Sequence, residues 1–197
     1  SDKMYLYDFS AGSGGWQITS DRLFRDSGAW MHIALILDST QATDSDRAKL
    51  YINGDLQNMG SWGVGSGASR YPTLNANFTW HTGTTMVIGS TGSTDDIAGY
   101  IAEFVSVDGQ SSSISDFGET KDGVWIPKNV SGLTLGDAGF HLKFDNTSDI
   151  GNDSGSNNID FTAANVAAHD VVDDSPTKNY CTMSPLVTTY MGAHISF

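Results

Sequence analysis

Several residue types are scarce in this chain, and each scarcity excludes a class of protein. A single cysteine, Cys181, excludes an internal disulfide framework. Only 10 lysines and arginines stand against 23 aspartates and glutamates, and the formal net charge of −13 disfavours nucleic acid as a partner. Only two of those acids, Glu103 and Glu119, are glutamates. Because aspartate favours turns and glutamate favours helices, this bias indicates β structure with polar loops.

Long apolar runs are also missing. No stretch of about 18 apolar residues occurs, so we predict no insertion into a membrane. The chain begins with a serine and shows no signal peptide. We therefore expect it to be a piece of a longer polypeptide or a processed product.

The residues that are present suffice for a β-rich domain with a sizeable core. The 197 residues are 39% hydrophobic and 11% aromatic, and the 22 glycines fit many tight turns and few long helices. We predict an all-β fold, an antiparallel β-sandwich over residues 1–110 followed by a loop-rich extension over residues 111–197 that packs back on it.

The clearest local signal is a hairpin within residues 30–56. Residues 30–37 are apolar on nearly both faces, which is typical of an inner strand between two packed sheets. A short strand over residues 49–52 runs into Asn53-Gly54. Both residues of that pair tolerate positive φ, so the pair predicts a tight hairpin turn.

Other apolar patterns predict further elements. Strands are expected at residues 4–9, 16–19, 84–89, 100–107 and 140–144. Ser113, followed three residues later by Asp116, predicts the N-cap of one helical turn. Trp30 and Trp125 are expected in the core.

The hairpin region resembles the laminin-G-like (concanavalin A-like) family. Its pattern is W-x-H-x-A-x-x-x-D followed by L-Y-x-N-G, and residues 99–109 (GYIAEFVSVDG) are similar to the family's closing strand. The matching residues are Trp30, His32, Ala34, Asp38, Leu50, Tyr51, Asn53 and Gly54. This resemblance implies a jelly-roll sandwich, a fold whose members bind glycans or proteins and only sometimes cleave glycans.

Later segments resemble a module that recurs in structural proteins of marine bacteriophages, where it follows such a sandwich. They are residues 116–128 (DFGETKDGVWIPK), 139–166 and 174–186 (DSPTKNYCTMSPL). The module usually has strands before the point where this chain begins, so we expect the sandwich to be incomplete at its N-terminal side.

The resemblance implies a non-catalytic structural or adhesion module of a bacteriophage virion, in a tail fibre, a tail appendage or the capsid surface. Its expected partners are other virion chains, including further copies of itself, and glycan on the host surface. The alternatives are a free-standing carbohydrate-binding module and a glycoside hydrolase.

Cleavage of a glycoside with retention requires two carboxylates about 5–5.5 Å apart. Glu103 stands alone on its predicted strand, with Asp108 in the following turn, and Glu119 lies in a loop. The sequence therefore predicts no catalytic residues. We expect Glu103 to bond loop backbone and His32 to donate a structural hydrogen bond.

A calcium site is one interpretation of the polar stretch 145–160. Calcium takes six to eight oxygen ligands, and the candidate ligands are Asp145, Asp149, Asp153, Asn157 and Asp160. Their spacing does not fit an EF-hand. The other interpretation is a turn-rich loop whose Asp and Asn side chains cap their own backbone. No other cofactor is predicted.

Aromatic residues in the glycine-rich stretch 61–82 are candidates for glycan binding. A pyranose face stacks on Trp or Tyr while its hydroxyls bond polar side chains. The candidate residues are Trp62, Tyr71, Asn75 and Trp80. Contact with a neighbouring subunit and packing onto the sandwich are the alternative roles of the aromatic residues.

If these aromatic side chains stack on a sugar, Trp62→Ala and Trp80→Ala should each abolish retention on a glycan array. The circular dichroism spectrum should stay unchanged, because the predicted site lies in a loop. Unchanged retention in both variants would discard this site.

Overall fold

The computed structural model describes residues 2–8, 15–26, 28–60, 69–78, 85–90, 97–110 and 112–176. Strand accounts for 27% of the structure and helix for 7%. The strands that pair in the described ranges run antiparallel. The predicted all-β class is thereby confirmed.

The elements are short. The described strands are β1 (Tyr5–Asp8), β2 (Trp16–Ser20), β3 (Ile33–Leu37), β4 (Ala48–Ile52), β5 (Asp55–Leu56), β6 (Met59–Gly60), β7 (Phe104–Ser106), β8 (Gly118–Lys121), β9 (Val124–Pro127) and β10 (Phe140–Leu142). Helix α1 spans Ile114–Phe117, and two 3₁₀ turns span Asp44–Asp46 and Ala168–Asp170. No helix in the described part of the chain has the length and apolar character that crossing a bilayer requires.

Two three-stranded sheets, β1–β2–β6 and β3–β4–β5, share one core. Burial alternates along β4, so that Ala48, Leu50 and Ile52 turn inward. These side chains cluster with Trp16 and Ile18 of β2. The period of two along β4 is what an antiparallel strand with one buried face requires.

Among the described strands, the most buried is β2, not the strand predicted at residues 30–37. All five residues of β2 are buried, whereas β3 begins only at Ile33, whose side chain is 48% exposed. The expectation was wrong because it equated apolar sequence with burial. The polar side chains of β2 are accommodated because they find partners: Ser20 Oγ accepts from Met4 N and donates to the Arg22 carbonyl, both at 3.0 Å.

The predicted hairpin is confirmed. β4 and β5 pair across Asn53 (φ 50°) and Gly54 (φ 82°). The Trp125 ring of β9 lies directly over this turn, and a Cβ on Gly54 would fall 2.3 Å from it. The turn therefore needs glycine both for its backbone angle and for the close approach of the indole.

Three predicted strands are shorter or missing. Residues 85–89 form no strand, and Thr84 lies outside the described residues. The strand expected at residues 100–107 shrinks to β7, and the one expected at 140–144 shrinks to β10. β7 and β10 extend only as far as they pair with each other, from Phe104 opposite Leu142 to Ser106 opposite Phe140. Strand propensity is therefore not sufficient to form a strand where no partner strand lies alongside.

The predicted helical turn is confirmed as α1, where the Asp116 carboxylate accepts from Ser113 N at 2.7 Å.

Aromatic contacts accompany the pairing of β7 with β10. Phe140 of β10 stacks on Phe104 of β7 with ring centroids 5.8 Å apart, and it contacts Phe161 with ring centroids 4.9 Å apart. The pairing of β7 with β10 links the two predicted parts of the chain. The boundary between residues 110 and 111 stays a prediction.

Replacing Leu50, which is fully buried between the two sheets, should lower the free energy of unfolding. Leu50→Ala leaves a cavity in the shared core and should cost about 2–5 kcal/mol. The matched control is Leu56→Ala on the adjoining strand, where 57% exposure predicts a change within about 0.5 kcal/mol. Urea denaturation measures both, and equal losses would contradict the shared core.

Candidate functional site

The predicted glycan-binding residues are only partly described. Trp62 and Trp80 lie outside the described residues. Tyr71 is partly buried against the core, and the Arg70 guanidinium lies 5.2 Å from its ring centroid. Asn75 is an exposed turn residue with φ 56°, and its N–H donates to the Ser39 carbonyl. Tyr71 thus packs locally, and a role in glycan binding stays a prediction for all four residues.

The candidate calcium ligands include three side chains that bond backbone. Asp153 Oδ1 accepts from His141 N and Gly155 N, both at 2.8 Å, and its Oδ2 accepts from Ile159 N at 2.9 Å. Asp160 Oδ1 accepts from Asp153 N. This is the backbone-capping interpretation of the loop, realised with partners on β10 as well as within the loop.

Asn157 completes this arrangement, since its Nδ2 donates to the carbonyls of Gly136 and Gly139. Asp145 and Asp149 are exposed. Within the described ranges, no group of three or more His, Cys, Asp or Glu side chains is placed to hold a metal ion. The hydrogen bonds of Asp153 and Asp160 tie the loop to β10, and a calcium site in residues 145–160 stays a prediction.

Burial raises the pKa of the Asp153 carboxyl, but three backbone N–H donors and nearby His141 lower it by more. The net pKa lies below its ordinary value of 3.8. Asp153 is only 5% exposed. Its carboxylate stays ionised in the interior because three backbone N–H groups donate to it.

The exposed Glu103 and the buried His141 form an acid–base contact near this loop. Glu103 Oε1 contacts Nε2 of His141, whose side chain is 3% exposed. The expectation that Glu103 bonds loop backbone was wrong, because the pairing of β7 with β10 brings His141 within reach.

His32 lies close to the same carboxylate. Burial lowers the pKa of His32, and the charge of Glu103 partly opposes that effect. Its Nδ1 is buried and has no partner among the described residues. The structural hydrogen bond that His32 donates comes from its backbone: His32 N donates to Asn53 Oδ1, and Asn53 N donates to the His32 carbonyl, both at 2.8 Å.

A cavity of about 210 Å³ lies where the two core sheets meet at β1 and β3. All four residues of β1 line it, together with Leu35 and Leu37 of β3 and with Trp16 and Phe78. We call it the edge cavity. Trp16 and Phe78 meet edge to face, with ring centroids 6.4 Å apart. Its walls are thus mainly aromatic and leucine side chains.

One polar group near the edge cavity is buried without a partner. Trp16 is 7% exposed, and its indole Nε1, which is closed off from the open space of the cavity, finds no hydrogen-bond acceptor among the described residues. Sequence reasoning missed this site because β1 and β3 are remote in the chain. The only available signal was the Tyr-Leu-Tyr-Asp alternation of β1.

Compared with known proteins, the chain matches no family model, no curated protein and no solved structure.

Removing the Asp153 charge should destabilise the fold in a pH-dependent way. Asp153→Asn replaces charge-assisted hydrogen bonds to three backbone donors and should cost about 1–3 kcal/mol at pH 7. Because the folded pKa is depressed, this stabilisation is complete above the ordinary value of 3.8 and is lost as pH falls through the lower folded value. The difference between wild type and variant should therefore shrink in acid.

Denaturation at pH 7 and at pH 3 measures this difference. Asp149→Asn is the control, since Asp149 is exposed in the same loop, and it should change stability by less than about 0.5 kcal/mol. A difference between wild type and Asp153→Asn that stays constant with pH would contradict the role assigned to the Asp153 charge.

Proposed function

We propose that this chain is a non-catalytic structural and adhesion module of a bacteriophage particle, built on a concanavalin A-like β-sandwich. The resemblance of residues 23–56 and 116–186 to such modules supports the assignment. Two antiparallel sheets that share one core are the arrangement a sandwich requires. The charge of −13 suits a surface that stays soluble at high local concentration.

A non-catalytic role is supported by the way the acids near the β7–β10 sheet are engaged. Both carboxylate oxygens of Asp153 accept hydrogen bonds from backbone N–H groups, and Glu103 contacts His141. A glycosidase needs one free nucleophile and one acid facing a common substrate. Asp153 is 5% exposed and bonded on both oxygens, so its carboxylate does not face an open substrate site.

The observation that carries the proposal is a pair of large apolar side chains left exposed on one face of β9. Val124 and Ile126 are 63% and 37% exposed. Trp125, between them, packs over the β4–β5 turn, so Val124 and Ile126 point to the opposite face of the strand. Two exposed apolar side chains side by side on one strand face favour contact with another chain.

A free-standing carbohydrate-binding module is the second candidate, and the edge cavity favours it. A free module should be monomeric. A particle component should instead bury roughly 1,000 Å² or more against copies of itself or other virion chains.

Light scattering coupled to size exclusion tests the choice. The wild-type chain should form a homo-oligomer, and Val124→Ser combined with Ile126→Ser should shift it toward the monomer because the apolar contact is lost. Val166→Ser is the matched control, since Val166 is 48% exposed but lies in the C-terminal segment. A wild-type chain that is monomeric at all concentrations would contradict the particle role and favour the free module.

A further inference from the structure

We propose that β3 pairs edge to edge with β3 of a second copy of this chain, so that two β3–β4–β5 sheets join into one antiparallel sheet. The inference rests on the proposed function, because that function predicts contact between copies. It adds a contact made by backbone groups, which is separate from the apolar side chains on the face of β9.

The hydrogen bonds between β3 and β4 show which backbone groups of β3 point toward β4. Just outside the two ends of the paired strands, Asn53 N donates to the His32 carbonyl and Asp38 N donates to the Arg47 carbonyl. Hydrogen-bonded pairs alternate along an antiparallel ladder. Between these two pairs, the even-numbered residues of β3 therefore bond β4, and the odd-numbered residues do not.

The odd-numbered residues Ile33, Leu35 and Leu37 direct their N–H and C=O groups away from β4. We call this row of groups the β3 edge. On that side β3 has no neighbouring strand in the described sheets, and no hydrogen bond within the described ranges reaches the row. The β3 edge therefore presents backbone donors and acceptors that another strand can pair with.

The side chains of β3 also indicate a missing neighbour. All five residues of the strand (IALIL) are apolar, yet none of them is buried, and Ile33 is 48% exposed. Pairing with another strand would cover these side chains as well as the backbone groups. An apolar strand at the edge of a sheet is a recognised site of pairing with another chain.

Other sheet edges in the described structure carry features that discourage such pairing. β5, at the opposite edge of the same sheet, is two residues long and begins with Asp55. β9 ends at Pro127, which has no N–H to donate. β3 contains neither a charge nor a proline, and its register with β4 runs without a bulge. Since short length, charge, proline and bulges are what protect an edge strand, β3 lacks that protection.

A second copy fits the β3 edge because the edge is complementary to itself. A two-fold axis at Leu35 places this residue opposite Leu35 of the partner subunit, and Ile33 opposite Leu37 of the partner subunit. The outward N–H and C=O groups of each pair then face each other, as hydrogen-bonded antiparallel pairs require. In this register Asp38 falls opposite His32 of the partner subunit, so no two acids oppose each other.

The predicted dimer dissociates on dilution. One strand of five residues from each copy supplies far fewer contacts than the roughly 20–30 residues a side of a standard stable interface. The fraction of paired chains should therefore rise with protein concentration.

Residue-resolved amide hydrogen exchange on the whole chain, measured by NMR at roughly 50 μM and roughly 1 mM, tests the proposal. The amides of Ile33, Leu35 and Leu37 should exchange about twofold to fourfold more slowly at the higher concentration, because pairing protects them by mass action. The amides of Ala34 and Ile36 are the internal control. They bond β4 within one chain, so their exchange should not depend on concentration.

A proline variant locates the contact. Ile33→Pro removes an outward N–H without removing a hydrogen bond to β4, and proline is tolerated on the free side of an edge strand. It should abolish the concentration dependence at Leu35 and Leu37. Ile33→Val is the matched control, since it keeps the N–H and should preserve the concentration dependence. If Ile33→Pro fails to fold, the contrast between odd and even amides in the wild type decides.

Three results would overturn the inference. Fast exchange at Leu35 and Leu37 at both concentrations would show an edge that stays unpaired. Slow exchange that does not change with concentration would show that a segment of the same chain covers the edge. Concentration dependence that survives Ile33→Pro would assign it to another contact. In each case an oligomer detected by light scattering leaves the proposed function standing, whereas a chain that is monomeric at all concentrations removes both.

Discussion

The contact between β2 and β4 is the constraint on which the rest of this structure depends. Neither three-stranded sheet could bury its apolar face alone, and small isolated sheets are marginal in water. Ile18 of β2 and Leu50 of β4 are both fully buried in one cluster. Because that cluster holds the sheets together, it also sets where their edge strands β1 and β3 face each other and where the edge cavity opens.

Polar side chains add hydrogen bonds to the small apolar core. Ser20 accepts from Met4 N before β1 and donates to the Arg22 carbonyl after β2, and Asp153 accepts from three backbone N–H groups of β10 and its loop. Each of these groups would be costly if buried alone, and each is tolerated because its partners are supplied. Hydrogen bonds from aspartate, serine and asparagine side chains to backbone groups thus supplement a core with few apolar side chains.

Features set by neighbouring residues could be predicted from the sequence, and features set by distant pairing could not. Asn53-Gly54 and Ser113 with Asp116 act over two to four residues, and both were predicted correctly. Burial of β2 depends on which strands flank it, so its partly polar sequence did not predict that all five residues are buried. The contact of Glu103 with His141 joins residues 38 positions apart. The edge cavity likewise exists only once β1 and β3 are placed together.

The most direct test of the account is amide hydrogen exchange along β2 and β4. If the two sheets share one core, the buried amides of both strands should exchange together, at the slowest rate in the chain and only through global unfolding. Leu50→Ala should then speed exchange in β2 as much as in β4. Slow exchange in one strand beside fast exchange in the other would show two independent sheets, and would contradict the shared core.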